Sequence, residues 1–478
     1  MKQTQTNLRT WNIKQNENIT FPIGTVMAVK QYYQKLGFDN VFGKHKKKGN
    51  DINFLLQALV SYKLTENQSI SKGSDWINRK EVLDEFELNE FEERTLFRVL
   101  EIIGSNKEEI MLGIQDNVFA RYNFEHTNAN LDWTSILLHG NNCPIGKYGY
   151  SREHRPDKKQ ITVGIGELAS PINVPIGLTI KPGNINDQTH FKDTFDQVKR
   201  NLLEGSMLVY DKGANSKENN EAVLASKMKY ITGKKINKSD DKKIKNFNRA
   251  KAILVSKEEG IYGVKTVYPS RIDYLFFSDK LMREQLGSSI RNAHRKFEEA
   301  KLLQKCLDNH KALPAKFRIK NELVDIRYSY QTKLKELDEQ EALRYITSCT
   351  ITGREGFFSL TSSENLTLEE ALKLYRQKDS IEKLINSLKN EIEIKPLRVW
   401  SENSIYGAVI IGFLAQLIMS LIKYDHRELK NTSVKFIKIS LMNLTVTIEF
   451  LSSKTKREIY SNFDPINELI LCKNQTET

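Results

Sequence analysis

Three acidic residues stand out in this sequence because of the segments that carry them. Asp132 lies near the start of the apolar segment LDWTSILL, Asp211 ends the apolar segment LVYD, and Glu382 lies within a long helical pattern. Functional groups on mixed sheets project from loops beyond strand ends, and carboxylates are hard ligands for Mg²⁺. The alternative for each Asp taken singly is structural: Asp211 caps the following helix and Asp132 is an ordinary strand-edge residue.

The pattern around Glu382 combines a carboxylate with three other functional side chains. It begins at the capping box Thr367-Leu-Glu-Glu370 and is predicted to continue as one helix as far as Pro396. The functional side chains at the border of its apolar stripe are Tyr375, Lys378, Glu382 and Lys389. At about 100° per residue they fall within an arc of about 60°. A solvated face with Lys–Glu pairs at i,i+4 is the common alternative, but a Tyr at the edge of a buried stripe is less usual.

The elements that must position these residues alternate between strands and helices. Three strands are predicted over 131–138, 160–168 and 174–180. They are followed by a helix over 186–200 with Asn186 or Asp187 as its cap, a strand over 206–211, a helix over 217–228 and a strand over 229–233. This order predicts the α/β class, a mixed sheet with helices on its faces.

Changes in the hydrophobic period along the chain predict five segments. They are an N-terminal helical domain over 1–125, the first part of an α/β core over 126–235, an inserted α+β subdomain over 236–350, the second part of the core over 351–425, and a C-terminal tail over 426–478. The N-terminal helices are candidates for binding DNA, with bracing of the core as the alternative. The tail is a candidate for oligomerisation.

Composition indicates which classes of partner and which cellular compartment are expected. The 478 residues carry 73 Lys+Arg and 60 Asp+Glu, a net charge of +13 that favours nucleic acid, anionic membranes or acidic proteins. The four cysteines form no CxxC pair, so neither a zinc site nor a disulfide framework is predicted, and a reducing cytoplasm is expected. The uncharged run Ile405–Ile422 is interpreted as a buried core helix and not as a membrane span.

The sequence resembles the DDE transposases of bacterial and archaeal insertion sequences, and more narrowly the branch marked by Tyr-x2-Arg-x3-Glu-x6-Lys. Here the signature is Tyr375-x2-Lys378-x3-Glu382-x6-Lys389, so that three of its four positions match. The resemblance also covers the strand with Asp132 and the segments YGYSREHRPDKKQITVG (148–164), PGNINDQTH (182–190), VYDKGANS (209–216) and KPLRVWSENSIYGAVIIGFLA (395–415). No GxSxG, P-loop or HExxH motif offers another catalytic system.

The resemblance implies an RNase H-like mixed sheet flanked by helices and interrupted by an α+β insertion. It implies that Asp132 on the first strand, Asp211 on the fourth and Glu382 on a later helix are catalytic and bind two Mg²⁺ ions, which Mn²⁺ can replace. The side chains expected to contact DNA phosphates are Tyr375, Lys378, Lys389, Arg152 and Arg155. The implied partners are terminal inverted repeats and target DNA, bound by a homodimer in the nucleoid, with no membrane.

The sequence departs from the family pattern at two places. Lys378 stands where the signature has Arg, and an ammonium group does not offer the planar fork of a guanidinium. The insertion contains no Trp, whereas relatives place one against a flipped base. Five aromatic side chains in the insertion are candidates to stack instead, although a role in the core of a small sheet is favoured: Tyr262, Tyr268, Tyr274, Phe276 and Phe277.

Two other functions are compatible with the same residues. A nuclease or Holliday-junction resolvase would share the sheet and the metal ions without joining strands. A non-catalytic DNA-binding relic of a transposase would keep the acidic residues without using them. Incubation of the protein with end DNA and a divalent metal ion distinguishes a transposase from these two alternatives.

Overall fold

The structure is a computed structural model. It describes the chain apart from residues 1–5, 11–17, 46–48, 123, 125–127, 140–141, 154, 156, 170–173, 311–337, 396, 453–454 and 472–478. Part of the predicted insertion and Pro396, the predicted end of the Glu382 helix, therefore lie outside the described residues.

The elements are given in chain order. The strands are β1 (Thr6–Thr10), β2 (Asn18–Pro22), β3 (Ala129–Leu137), β4 (Gln160–Leu168), β5 (Val174–Pro182), β6 (Met207–Tyr210), β7 (Lys229–Lys234), β8 (Ile253–Ser256), β9 (Ile261–Val267), β10 (Ile272–Ser278), β11 (Phe357–Ser362), β12 (Thr445–Phe450) and β13 (Thr455–Ser461). The helices are α1 (Gly24–Leu36), α2 (Asp39–Phe42), α3 (Ile52–Leu64), α4 (Ile70–Ile77), α5 (Lys80–Glu85), α6 (Arg94–Ser105), α7 (Lys107–Tyr122), α8 (Asp187–Lys199), α9 (Lys217–Ala225), α10 (Asp241–Lys245), α11 (Asp279–Asp308), α12 (Glu339–Thr350), α13 (Leu368–Arg376), α14 (Asp379–Asn390), α15 (Glu402–Asp425), α16 (Val434–Asn443) and α17 (Pro465–Leu471).

The chain divides into two compact units. The first comprises Met1–Tyr230 and Leu374–Thr478, and the second comprises Ile231–Lys373. The first unit therefore contains both ends of the chain, and the second is a single continuous stretch inserted between its two parts.

The first unit contains the mixed sheet that the sequence predicts. Strand β4 pairs antiparallel with β3 on one side and with β5 on the other, and β6 pairs with β3 in parallel. Strands β3, β4 and β5 follow one another along the chain and pair antiparallel, whereas α8 crosses over between β5 and β6 and so allows the parallel pairing of β6 with β3. The predicted α/β class is confirmed, and the first and fourth strands of the sheet are neighbours.

Helix α15 is the centre of the apolar core of the first unit. Among the described residues it is the one helix long and apolar enough to span a membrane, and most of that stretch is buried inside the protein. The predicted buried core helix over 405–422 is therefore confirmed. Two glycines allow α6 and α15 to pack closely, because a Cβ on Gly104 would lie 1.9 Å from the Asn403 carbonyl oxygen and one on Gly407 would lie 2.3 Å from that of Leu100.

We expect Gly104→Ala to destabilise the first unit by about 3 kcal/mol, because a methyl group there forces two packed backbones apart. The thermal unfolding midpoint should fall by several degrees. Gly287→Ala is the matched control, since its new Cβ would meet only the flexible Arg291 side chain at 3.4 Å. That change should be neutral or slightly stabilising, by up to about 1 kcal/mol from helix propensity. Equal effects of the two substitutions would contradict the packing argument.

The two ends of the first unit form a second, four-stranded sheet in the order β1-β13-β12-β2. The expectation that residues 1–125 are helical is therefore wrong for the segments of β1 and β2. Side chains of β12 alternate between buried and half-buried, as in a sheet with one face on the core. Lys456 and Glu458 of β13 form a buried ion pair of 2.7 Å.

The second unit is built on an antiparallel sheet in the order β7-β11-β10-β9-β8. Tyr274, Phe276 and Phe277 of β10 are buried, as the favoured interpretation of the insertion aromatics expects. Tyr262 and Tyr268 are half-buried beside cations: Arg249 lies over the Tyr262 ring at 5.7 Å, and Lys243 lies over that of Tyr268 at 5.2 Å.

Candidate active site

Asp132 and Asp211 lie at matching positions on two neighbouring parallel strands. Leu131 of β3 pairs with Tyr210, the last residue of β6; Asp132 is the next residue of β3, and Asp211 directly follows the end of β6. Since paired strands lie about 4.8 Å apart, the register brings residues separated by a long stretch of sequence to one end of the sheet. The register therefore produces the juxtaposition of two carboxylates that the sequence could only suggest.

The Asp132 carboxyl is almost completely buried, with 6% of the residue exposed. Burial raises its pKa, the positive charges of Lys378 and Arg152 oppose this rise, and the negative charge of Asp211 adds to it. Asp211 is more accessible, and its Oδ1 accepts a hydrogen bond of 3.1 Å from the Tyr375 hydroxyl. Burial and the Asp211 carboxylate both raise the pKa of Tyr375, so this hydroxyl keeps its proton for the bond.

The predicted continuous helix from Thr367 to Pro396 is wrong. The capping box at Thr367 and Glu370 is present, but the helix ends at Arg376 and a second one, α14, begins at Asp379. The turn between them is tight, because the Lys378 amide donates to the carbonyl three residues earlier. The arc of about 60°, which assumes an unbroken helix, therefore does not describe the actual placement of the four side chains.

The break places Lys378 between two of the candidate carboxylates. Its Nζ lies 3.5 Å from Asp132 Oδ2 and 2.7 Å from Glu382 Oε1. Burial would lower the pKa of Lys378, but the carboxylates of Asp132 and Glu382 outweigh burial and raise it, so the ammonium remains charged. The Glu382 side chain is 60% exposed. Two acidic residues from distant parts of the chain are thus linked through one cation.

A buried acid that the sequence analysis missed supports the start of α14. Glu167 of β4 is fully buried, its Oε1 contacts the Ser380 hydroxyl, and Asn130 Nδ2 donates to the same Oε1 at 2.9 Å. Ser380 and Asn130 also donate to the Gln377 carbonyl oxygen, at 2.7 and 3.3 Å. Burial raises the pKa of Glu167 to about 8. These hydrogen bonds connect strands β3 and β4 to the turn between α13 and α14, which contains Lys378. A Glu within an otherwise apolar strand was the available signal.

Arg152 and Arg155, both expected to contact DNA, have different surroundings. Arg152 lies 3.8 Å from Asp132 Oδ1 and 2.6 Å from Asp187 Oδ2. It is therefore next to the acidic cluster, the name used here for Asp132, Asp211 and Glu382. Asp187 is the first residue of α8; the N-cap is Asn186, whose side chain accepts from the backbone. Burial raises the pKa of Asp187, and Arg152 opposes this. Arg155 is exposed and pairs with Asp157 at 2.8 Å.

Lys389 lies in the last turn of α14 and contacts the segment between β3 and β4. Its Nζ lies 3.2 Å from Glu153 Oε1, and Nζ of Lys395 lies 3.0 Å from the same oxygen. Burial lowers the pKa of Lys389, Glu153 opposes this, and the charges of Lys395 and Arg152 add to the lowering. Lys395 and Glu153 were not singled out by the sequence analysis, because no local pattern connects them.

The donor chemistry of the cluster suits a hard divalent cation. Within the described part of the chain no three acidic, His or Cys side chains are close enough together to hold a metal ion as they stand. However, Asp132 and Glu382 already share one cation, the Lys378 ammonium, and Asp211 is next to Asp132 in the strand register. Carboxylate oxygens are the ligands that Mg²⁺ prefers. These three residues are therefore the ones that would hold such an ion.

Comparison with known proteins identifies the family to which the chain belongs. A family model described as "Transposase DDE domain" matches residues 128–418. Among solved structures, the cryo-EM structure of the piggyBac transposase synaptic complex with hairpin DNA matches with a TM-score of 0.43 and 12% sequence identity, over 91% of this chain and 82% of that chain. No curated protein matches the sequence. Because the matched segment exceeds half of the chain and contains Asp132, Asp211 and Glu382, the chain belongs to the DDE transposase family and is a DNA-cleaving enzyme.

Proposed function

We propose that this transposase cleaves DNA at the ends of an insertion sequence and joins the freed 3′-hydroxyls to target DNA, with Asp132, Asp211 and Glu382 as its catalytic residues. The observation that carries the assignment is the register of β3 and β6, which makes Asp132 and Asp211 neighbours. The shared ammonium of Lys378 links Glu382 to the same place. The alternative structural roles of the two aspartates do not account for this convergence.

DDE transposases use divalent metal ions, and we propose that the three carboxylates hold two Mg²⁺ ions. Such ions would activate the attacking oxygen and stabilise charge on the leaving oxygen. Lys378 keeps Asp132 and Glu382 close to each other and offsets their mutual repulsion. Tyr375 orients the Asp211 carboxylate through its hydrogen bond. Lys389 supplies positive charge for the DNA backbone beside the carboxylates.

We further infer that the chain belongs to the branch with the Tyr-x2-Arg-x3-Glu-x6-Lys signature, with Lys378 in place of Arg. The tolerance of Lys at this position has a physical reason here, because Lys378 contacts two different carboxylates at 3.5 and 2.7 Å. A point charge suits that arrangement, and a planar fork is not required. We assign recognition of the DNA ends to the N-terminal helices, and we expect a homodimer, because two ends must be brought together.

Reaction with end DNA tests the proposed activity. The DNA flanking the gene supplies the candidate inverted repeats for a labelled duplex, which is incubated with the purified protein and Mg²⁺ or Mn²⁺. Cleavage followed by joining to a second DNA supports transposition. Cleavage without joining identifies a nuclease or resolvase, and binding without cleavage identifies a non-catalytic relic; either outcome overturns the proposal.

A further inference from the structure

Two lysine side chains beside the acidic cluster share a single carboxylate oxygen. Nζ of Lys389 and Nζ of Lys395 lie 3.2 and 3.0 Å from Oε1 of Glu153. Two ammonium groups that converge on one anionic oxygen form the arrangement that would also receive a non-bridging oxygen of a phosphodiester. Lys395 has no role in the family signature, and Glu153 lies on the segment between β3 and β4.

The local charge makes an anion necessary at this position. The Lys389 side chain is 11% exposed, and a cation so far removed from water is costly unless it is paired. The positive charges of Lys395 and Arg152 act on Lys389 as well, so that three cations surround the place where Glu153 supplies its carboxylate. Arg152 is also paired with Asp187 at 2.6 Å, which leaves the two lysines as the partners of Glu153.

The position of Glu153 is compatible with exchange. Its side chain is 23% exposed and it belongs to a turn, not to a helix or strand. Lys389 lies on α14, and Lys395 lies two residues before Leu397, which forms an isolated bridge with Leu138 directly after β3. An anion on a loop can therefore leave two cations that remain in place.

We propose that Lys389 and Lys395 form a seat for one phosphate of the DNA backbone, which the Glu153 carboxylate fills in the DNA-free protein and vacates when DNA binds. This inference rests on the proposed placement of DNA beside Asp132, Asp211 and Glu382. It adds Lys395 to the DNA-binding residues and makes Glu153 an internal competitor of DNA. Exchange of one anion for another leaves the lysines paired in both states, so neither state has a buried, unpaired cation.

Binding of a mixed-sequence DNA duplex, measured by fluorescence anisotropy over a range of salt concentrations, tests the seat. Glu153→Gln keeps the shape of the side chain but removes the competing charge, and should raise affinity roughly 3- to 10-fold. Lys395→Ala should weaken binding roughly 5- to 10-fold for all sequences alike and flatten the slope of log K against log salt by about 0.9. Lys389→Ala should behave in the same way.

The control must separate the seat from the general effect of net charge. Asp193→Asn also removes one negative charge and one ion pair, that with Lys181 at 3.1 Å, and should change affinity less than about twofold. In the double variant Lys389→Ala/Lys395→Ala, Glu153→Gln should have no further effect, because the seat is gone.

Several outcomes would overturn the inference. A Glu153→Gln variant that binds DNA no better than Asp193→Asn would make Glu153 a permanent structural partner. An unchanged salt slope in Lys395→Ala would remove Lys395 from the DNA interface. Failure of this inference can be distinguished from failure of the proposed function. If the wild-type protein cleaves end DNA but Glu153→Gln binds DNA no more tightly than the wild type, only the seat is wrong. If the wild-type protein does not cleave end DNA, the proposed function is wrong.

Discussion

Asp132→Asn is expected to lower the rate of DNA cleavage by a factor of at least about 1,000, which corresponds to about 4 kcal/mol of transition-state stabilisation. The amide keeps the shape of the side chain but loses the charge that would hold a divalent cation. Asp211→Asn and Glu382→Gln should show losses of the same order, since the three carboxylates act as one group. Cleavage of labelled end DNA in Mg²⁺, under single-turnover conditions, measures the effect.

DNA affinity should be preserved or slightly improved in these three variants, because binding comes mainly from Lys and Arg and each change removes a negative charge. Asp157→Asn is the matched control: this residue is exposed and paired with Arg155, and its loss should leave cleavage within about twofold of the wild type. Thermal unfolding checks that each variant is folded. A Glu382→Gln protein that cleaves within tenfold of the wild type would exclude Glu382 from the catalytic group.

Glu167→Leu is expected to reduce the rate of DNA cleavage by a factor of about 100, although residue 167 itself is not expected to contact DNA. Leu removes the carboxyl that contacts Ser380 and Asn130, so the connection between the strands and the break at Gln377 is lost. Lys378 directly follows Gln377 and Glu382 lies in the first turn of α14, and small displacements of positioned groups have large effects on rate. Glu167→Gln retains an acceptor oxygen and should keep activity within about threefold.

A control variant separates a loss of fold stability from a loss of positioning of Lys378 and Glu382. Gln115→Leu is the control, because Gln115 is also buried and donates to the Ile176 and Gln197 carbonyl oxygens, remote from the carboxylates. It should lower the unfolding midpoint without lowering the cleavage rate of folded protein. Glu167→Leu should instead raise the Mg²⁺ concentration needed for half-maximal cleavage and leave DNA affinity unchanged. Unaltered Mg²⁺ dependence in this variant would contradict a positioning role.

Glu167 also predicts a pH dependence of stability. Its pKa of about 8 in the folded state lies above the value of about 4.3 for an unfolded chain. The folded protein therefore holds a proton that the unfolded chain releases in this range, so that the stability contributed by the protonated carboxyl falls as pH rises from about 4.3 through about 8. Glu167→Gln should lack this component. Unfolding midpoints of the two proteins measured across that range provide the test.

Local sequence patterns predicted much of the first unit because they report on local physics. Strand β4 follows from its largely apolar segment QITVGIGEL, and α8 follows from the capping side chain of Asn186. The buried helix α15 follows from an uncharged apolar run. Motif order along the chain was sufficient to suggest the transposase family, which the family model confirms.

Local patterns failed where a distant contact outweighed the local preference. The period around Glu382 favoured one helix, but Asn130 on another element binds the Gln377 carbonyl and stabilises a break there. The strands β1 and β2 were missed because short strands acquire their pairing partners only from β12 and β13, at the opposite end of the chain.

The sequence by itself determined which residue types were available for metal-dependent DNA chemistry, and in which order along the chain. Only the tertiary structure decided which of them meet: the parallel register of β3 and β6 brings Asp132 beside Asp211, and the helix break places Lys378 between Asp132 and Glu382. The physical reason is that helical and strand periods are set by near neighbours, whereas register and ion pairing depend on segments that folding alone brings into contact.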